Sequence, residues 1–243
     1  MDAKLLPAIM MGILSLACLA VVFSGLKSAL QKTSLEASRR NTILARSIGI
    51  MIIWVALISV LAVRGFFSDF TALPPRPALL IMLPIPFLLW IAFSRTGSEL
   101  LRAVPPHWLV AMQSFRILVE VLLWLAFSRH LLPVQMTFEG NNFDIFSGLL
   151  AIPVAIVLRK KWSSKLILAY NIIGIALLVN ILVIAVLSMP TPLRKFTNEP
   201  ANTIVGEFPF VFLPAILVVL AIALHIFSLR QLWIREKTRS AVL

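Results

Sequence analysis

The sequence predicts an all-α integral membrane protein, a single bundle of seven transmembrane helices filling residues 1–243. Three observations carry that expectation. The chain is 60% hydrophobic and only 13% charged, with a mean hydropathy of +0.99, whereas soluble domains are about a quarter charged. Apolar runs of about 20 residues recur, the length a helix needs to cross a bilayer core, while barrel strands would alternate over ~10 residues. Basic residues collect in alternate loops, as they do on the cytoplasmic side of membrane proteins.

The spans fall at 5–26, 46–64, 78–94, 107–128, 143–158, 166–189 and 208–229. The first is too long for a signal-peptide core and is followed by a basic loop, so it is expected to stay as a helix. Its "LSLAC" is only superficially like a lipoprotein cleavage box, because Ser15 and Leu16 stand in the wrong order. Cys18 is the single cysteine, which excludes an intrachain disulfide and paired-cysteine metal motifs. The loop "KSALQKTSLEASRRNTILARS" has helix-forming composition and is expected to extend the first two helices or to lie on the membrane surface. Pro84 and Pro86 in the third span, Pro153 in the fifth and Pro214 in the seventh mark kinks. The fifth span is short and is expected to begin in the preceding loop. In the sixth, Asn171 and Asn180 are set on opposite faces. "LLWIAFSR" at 88–95 returns as "LLWLAFSR" at 122–129, but the flanks do not match and no larger repeat follows.

The charges assign the sides. Loops 27–46, 95–106 and 159–165 and the tail after 229 hold 15 of the 22 basic residues. The opposite loops hold Lys4, Arg64, Arg76, Arg129, Arg194 and Lys195, and Arg116 lies inside a span. This predicts an outer N-terminus and a cytoplasmic C-terminus. In a soluble chain the net charge of +12 would suggest nucleic acid. Here it marks topology, and the expected partner is the lipid bilayer. Most acids lie in the outer loops, which gives those loops a polar surface of their own.

Three constellations could carry chemistry. On the fourth span Gln113, Arg116, Glu120, Trp124 and Phe127 share one helical face. A charge at that depth costs about 2.5–3.5 kcal/mol even on the permissive insertion scale, so the face must look into the bundle. Arg116 and Glu120 are spaced to pair within the helix. They fit an ion-pair lock between helices, or a site for a polar ligand, an ion or a proton. In "QMTFEGNNFDIFSG", Glu139, Asn141, Asn142 and Asp144 offer oxygens beside the turn-forming Gly140. They fit a capped turn into the fifth span, or a ligand rim. In "PTPLRKFTNEPANTIVGEFPF", Arg194, Lys195, Asn198, Glu199, Asn202 and Glu207 lie in a proline-rich stretch that is either a solvated loop or a lid.

Some chemistries are excluded by what is missing. No HExxH motif, His/Asp cluster, GxSxG motif or glycine-rich phosphate loop occurs, and the last span has no lysine for a retinal Schiff base. No metal site is expected, and the sequence leaves a cofactor open. The segments "FRILVEVLLW", "MTFEGNNFDI" and "PTPLRKFTNEPAN…FPFVFLPA…SLRQL" resemble a group of bacterial multi-spanning membrane proteins with no assigned activity, over roughly Gln113 to Leu232. That resemblance implies a bacterial inner membrane and says nothing about mechanism.

Three functions fit. The first is a small-solute or ion site open to the outer face, for transport or sensing, with a small polar or anionic ligand. Arg116 and Glu120 would form its floor, and Gln113 and the two outer loops would complete it. The second is a membrane-embedded enzyme acting on a lipid or isoprenoid. The third is a structural subunit of a membrane complex. Oligomeric state is open.

Overall fold

The computed structural model describes residues 3–240. Among them there are helices and turns but no strand. Helices α1 (Leu5–Gln31) and α2 (Ala37–Val63) form a hairpin joined by residues 32–36. The basic, helix-forming loop is thus largely absorbed into the two helices. At about 40 Å each, they are longer than the ~30 Å apolar core of a bilayer.

The third span is two pieces, α3 (Arg76–Met82) and α4 (Pro84–Phe93), which meet at Leu83. Pro84 and Pro86 have no N–H to continue the ladder. Next comes α5 (Arg95–Ala103), capped by Ser94 Oγ, which accepts from the Gly97 N–H at 2.9 Å. It buries Leu101 and leaves Arg95 and Arg102 exposed, the pattern of a helix lying along a membrane surface.

The fourth span is also divided, into α6 (Pro106–Met112) and α7 (Phe115–Ser128). No proline causes this break. The N–H groups of Gln113, Ser114, Arg116 and Ile117 each donate to the carbonyl three residues back, at 3.0–3.1 Å, so one turn tightens to 3₁₀ geometry. After it come α8 (Ile145–Lys160), α9 (Ser164–Leu187), a π-helical turn at Leu213–Val218 containing Pro214, and α10 (Val219–Ser240).

Among the described residues, six helical stretches are long and apolar enough to cross a membrane, not the seven expected. The exception is the predicted span at 143–158. Its helix α8 has 16 residues, or about 24 Å. The cause lies just before it. The N–H groups of Gly140 and Asn142 both donate to Thr137 O, and Asn142 Oδ1 accepts from the Asp144 N–H at 3.0 Å. Asn142 thereby offers the backbone an alternative to a helix, and residues 137–144 stay unwound.

The unwound segment runs back along α7. Glu139 meets Trp124, Asn142 meets Glu120 and Asp144 meets Arg116. Gly148 continues the approach: a Cβ there would stand 2.7 Å from Ile117 Cγ1. Ala151 and Ala155 of α8 then cluster with Val110 of α6. Non-helical backbone persists at membrane depth only where protein buries it, and Thr137, Asn142 and Asp144 are buried.

The loops gather at two ends. At one end Ser34 donates to Glu99, Arg230 donates to Ala92 O, Gln231 donates to Leu101 O and Val104 O, and Arg235 lies over Trp162. At the other Lys4 pairs with Glu207, Arg76 with Asp69, and Gln135 bonds Ser188 and Asn198. This is the same division of loops that the charge pattern predicts.

Candidate functional site

Seven residues of α7 are buried: Phe115, Arg116, Val119, Glu120, Leu122, Leu123 and Ala126. Both charges on this helix therefore face the interior, Arg116 2% exposed and Glu120 1%. Trp124, expected on the same face, is 38% exposed and donates from Nε1 to Glu139 Oε1 at 2.7 Å.

The ion pair that the spacing allows within α7 does not form. Arg116 pairs instead with Asp144, in the unwound segment. Arg116 Nε donates to Asp144 Oδ2 at 2.7 Å, and Nη2 donates to Asp144 Oδ1. Side chains on a helix lean towards its N-terminus, which carries Arg116 away from Glu120. The planar guanidinium also matches a carboxylate two-pronged. Nη2 donates further to Gly174 O at 3.2 Å, and Nη1 lies 3.1 Å from His225 Nε2.

The histidine's role follows from its neighbours. Asn171 Nδ2 donates to Ser228 Oγ at 2.9 Å and to Ile167 O at 2.8 Å, so Asn171 Oδ1 is the atom facing His225 Nδ1 at 2.9 Å. Nδ1 then carries the proton and donates, and Nε2 accepts from Arg116. A chain of hydrogen bonds thus joins α10 and α9 to the guanidinium, and through it to Asp144. The closeness depends on Gly174: a Cβ there would lie 2.5 Å from His225 Cε1 and 3.1 Å from Ser147 Oγ. Small residues permit such approach between membrane helices.

Among the described residues, Glu120 has no cation within ion-pair distance. Its Oε2 accepts from Asn142 Nδ2 at 2.6 Å, and the same amide donates to Met136 O at 3.0 Å. Glu120 borders a cavity of about 100 Å³ in the half of the bundle that carries loops 129–144 and 188–212. Its walls are mostly hydrocarbon, including Val119, Leu123, Leu178, Leu182 and Leu217. Arg116, Asp144 and Asn202 also reach it.

The structure thus brings together four of the residues singled out by sequence: Arg116, Glu120, Asn142 and Asp144. Gln113 is buried nearby on the same span and donates from Nε2 to Ala221 O at 3.1 Å. Glu139, Asn141, Asn198, Glu199 and Glu207 are bonded elsewhere. Asn141 is exposed, and its backbone O accepts from Asn180 at 2.9 Å. Asn198 is exposed and donates to Gln135 Oε1 at 3.0 Å. Arg194 and the Ala201 N–H bind the exposed Glu199 carboxyl and hold it below the ordinary glutamate range. Glu207 pairs with Lys4 at 2.8 Å. Loop 190–210 is not wholly solvated. Asn202, Ile204, Val205 and Phe210 are buried in it.

His225, Asn171, Gly174 and Ser228 belong to the cluster and were not singled out as site residues. The available signal is spacing. His225, Ser228 and Gln231 form a polar stripe on α10, and Asn171 and Gly174 stand one turn apart on α9.

Neither a curated protein nor a solved structure matches the chain. A family model does match residues 76–233, more than half of the sequence. The match begins at the first residue of α3, leaves α1 and α2 outside it, and includes every residue of the buried polar cluster. The chain belongs to that family, described as a domain of unknown function, DUF8737.

Proposed function

We propose that the chain is a multi-pass protein of a bacterial inner membrane, a single domain over residues 1–243, that transports or senses a small solute or cation at Glu120. The observation that carries this reading is the difference between its two buried charges. Arg116 is held by Asp144, His225 and Gly174 O, and serves as framework. Glu120 keeps one amide donor and faces a cavity where the neighbouring cation, Arg116, is already bound to Asp144. A lone carboxylate is costly at that depth, and a bound proton or cation removes the cost. Glu120 is then the acceptor, and Asn142 holds it in place.

The charge pattern supports an outer N-terminus and a cytoplasmic C-terminus. Six long helices alone would leave both termini on one side. The unwound residues 137–144 together with α8 complete the remaining crossing, so the chain still changes sides there. Broken helices of this kind line substrate sites in transporters.

The test is infrared spectroscopy of the protein in lipid. Wild type should show a protonated-carboxyl band that exchanges with bulk pH and is missing in Glu120→Gln. A spectrum in which Glu120→Gln removes no titrating band overturns the reading. Proton movement into sealed vesicles containing the protein then separates transport from sensing.

A further inference from the structure

The cavity beside Glu120 presents hydrogen-bond acceptors and no comparable set of donors. Glu120 Oε2 takes one bond, from Asn142, and Oε1 has none among the described residues. Asn202 lines the same cavity, is fully buried, and donates from Nδ2 to Ala185 O at 3.1 Å, while its Oδ1 is buried without a partner. Buried polar atoms in native proteins are nearly always paired, so an orphan acceptor on a residue lining the same cavity as a lone carboxylate points to a missing donor. Arg116 and Asp144 also reach the cavity, but each is engaged by the other, and the guanidinium makes further contacts to His225 and Gly174 O.

The rest of the wall is apolar, with Phe115, Val119, Leu123, Leu178, Leu182 and Leu217 among its side chains. An inorganic cation would match Glu120 and leave this wall unused. An anion would meet two acceptors. A ligand with an ammonium head and a short apolar body satisfies both halves. Its N–H groups serve Glu120 and Asn202, and its carbons fill the apolar remainder. The volume of about 100 Å³ limits that body to a few carbons, since a cavity of about 150 Å³ holds one benzene ring.

We propose that this cavity is a binding site for a small alkylammonium ion, with Glu120 as its counter-ion and Asn202 as a second acceptor. The proposal rests on Glu120 being the acceptor group of the functional reading and names the ligand class.

The experiment uses full-length protein in phosphatidylcholine nanodiscs, with n-butylammonium as the probe and thermal unfolding and calorimetric titration as readouts. Butylammonium should bind and raise the unfolding midpoint. Butyrate, n-butanol and sodium ion at equal concentration should not. Glu120→Gln keeps an acceptor for Asn142 and should weaken butylammonium binding at least about tenfold, the scale of a charge-assisted hydrogen bond. Ala185→Phe, which fills the cavity from α9, should abolish binding while the carboxyl band of Glu120 persists. The proposal is overturned if butyrate or sodium binds as well as butylammonium, or if Glu120→Gln or Ala185→Phe leaves its affinity unchanged. Loss of butylammonium binding in wild type with a titrating Glu120 overturns this ligand alone. A Glu120 that does not titrate overturns the functional reading beneath it.

Discussion

Arg116 and Asp144 are 28 residues apart in the chain and meet as a two-pronged ion pair inside the bundle, with Nε 2.7 Å from Oδ2. Their side chains are 2% and 7% exposed. The pair fastens the unwound segment to α7, and the His225–Asn171–Ser228 chain fastens α9 and α10 to the same guanidinium. Four parts of the bundle therefore share one charged knot.

Removing one partner leaves the other buried and unpaired. Asp144→Asn or Arg116→Gln should each destabilise the protein by roughly 3–5 kcal/mol. The double variant should lose clearly less than the sum, because it buries no lone charge. Equilibrium unfolding in mixed micelles measures all three. Strict additivity would show that the pair is not coupled.

Gly174 makes a sharper steric test. Gly174→Ala puts a methyl 2.5 Å from His225 Cε1 and should cost about 1–3 kcal/mol, the usual penalty for overpacking. His225→Ala in the same chain should recover part of that loss. Gly12→Ala is the control, since nothing lies within 4 Å of the added carbon, and it should be neutral or slightly stabilising.

Two loop carboxylates give a pH dependence. Glu199, bound by Arg194 and the Ala201 N–H, has its carboxyl below the ordinary glutamate range, and Thr71 with a smaller contribution from Arg76 does the same for Asp69. For such groups the stabilisation is present above the unfolded pKa and is lost as pH falls through the folded one. Nuclear magnetic resonance titration of Glu199 should therefore show a midpoint below 4.5, and Arg194→Ala should move it up. Cleavage of loop 190–203 by an acid-tolerant protease should rise over the same interval. A Glu199 midpoint that ignores Arg194→Ala would contradict the geometry.

Side assignment is testable by single cysteines in a Cys18→Ser background. Ser34→Cys and Ser163→Cys should react with an impermeant maleimide only after the membrane is opened. Thr71→Cys, Asn141→Cys and Asn198→Cys should react in intact cells. Labelling of Asn141→Cys and Ser163→Cys from the same side would mean that α8 does not complete a crossing.

Much of this arrangement was legible in the sequence, and the gaps have physical causes. Apolar run length located six of the long helices, and loop charge separated the two ends. The burial of Arg116 and Glu120 followed from the cost of charge in hydrocarbon. The shortened α8 did not follow, because hydropathy counts apolar side chains and not whether each N–H continues a helix. Asn142 redirects that backbone through one side-chain bond. The true partner of Arg116 was hidden for a related reason. Spacing suggested Glu120 four residues on, whereas Asp144 arrives only when the loop folds back into the bundle. The His225–Ser228–Gln231 stripe on α10 and Asn171 on α9 can each be read from spacing, but nothing local shows that they face each other.

The knot has a consequence for biosynthesis. Arg116 leaves the ribosome 28 residues before Asp144, a delay of about 1–6 seconds at 5–20 residues per second. His225 follows 109 residues after Arg116. During that interval the stretch Pro106–Ser128, the least apolar of the six long ones, must enter the bilayer with its guanidinium unmatched. Membrane insertion of this stretch and the folding back of 137–144 are therefore coupled steps. The last helix to be made closes a site whose first charge was laid down long before it.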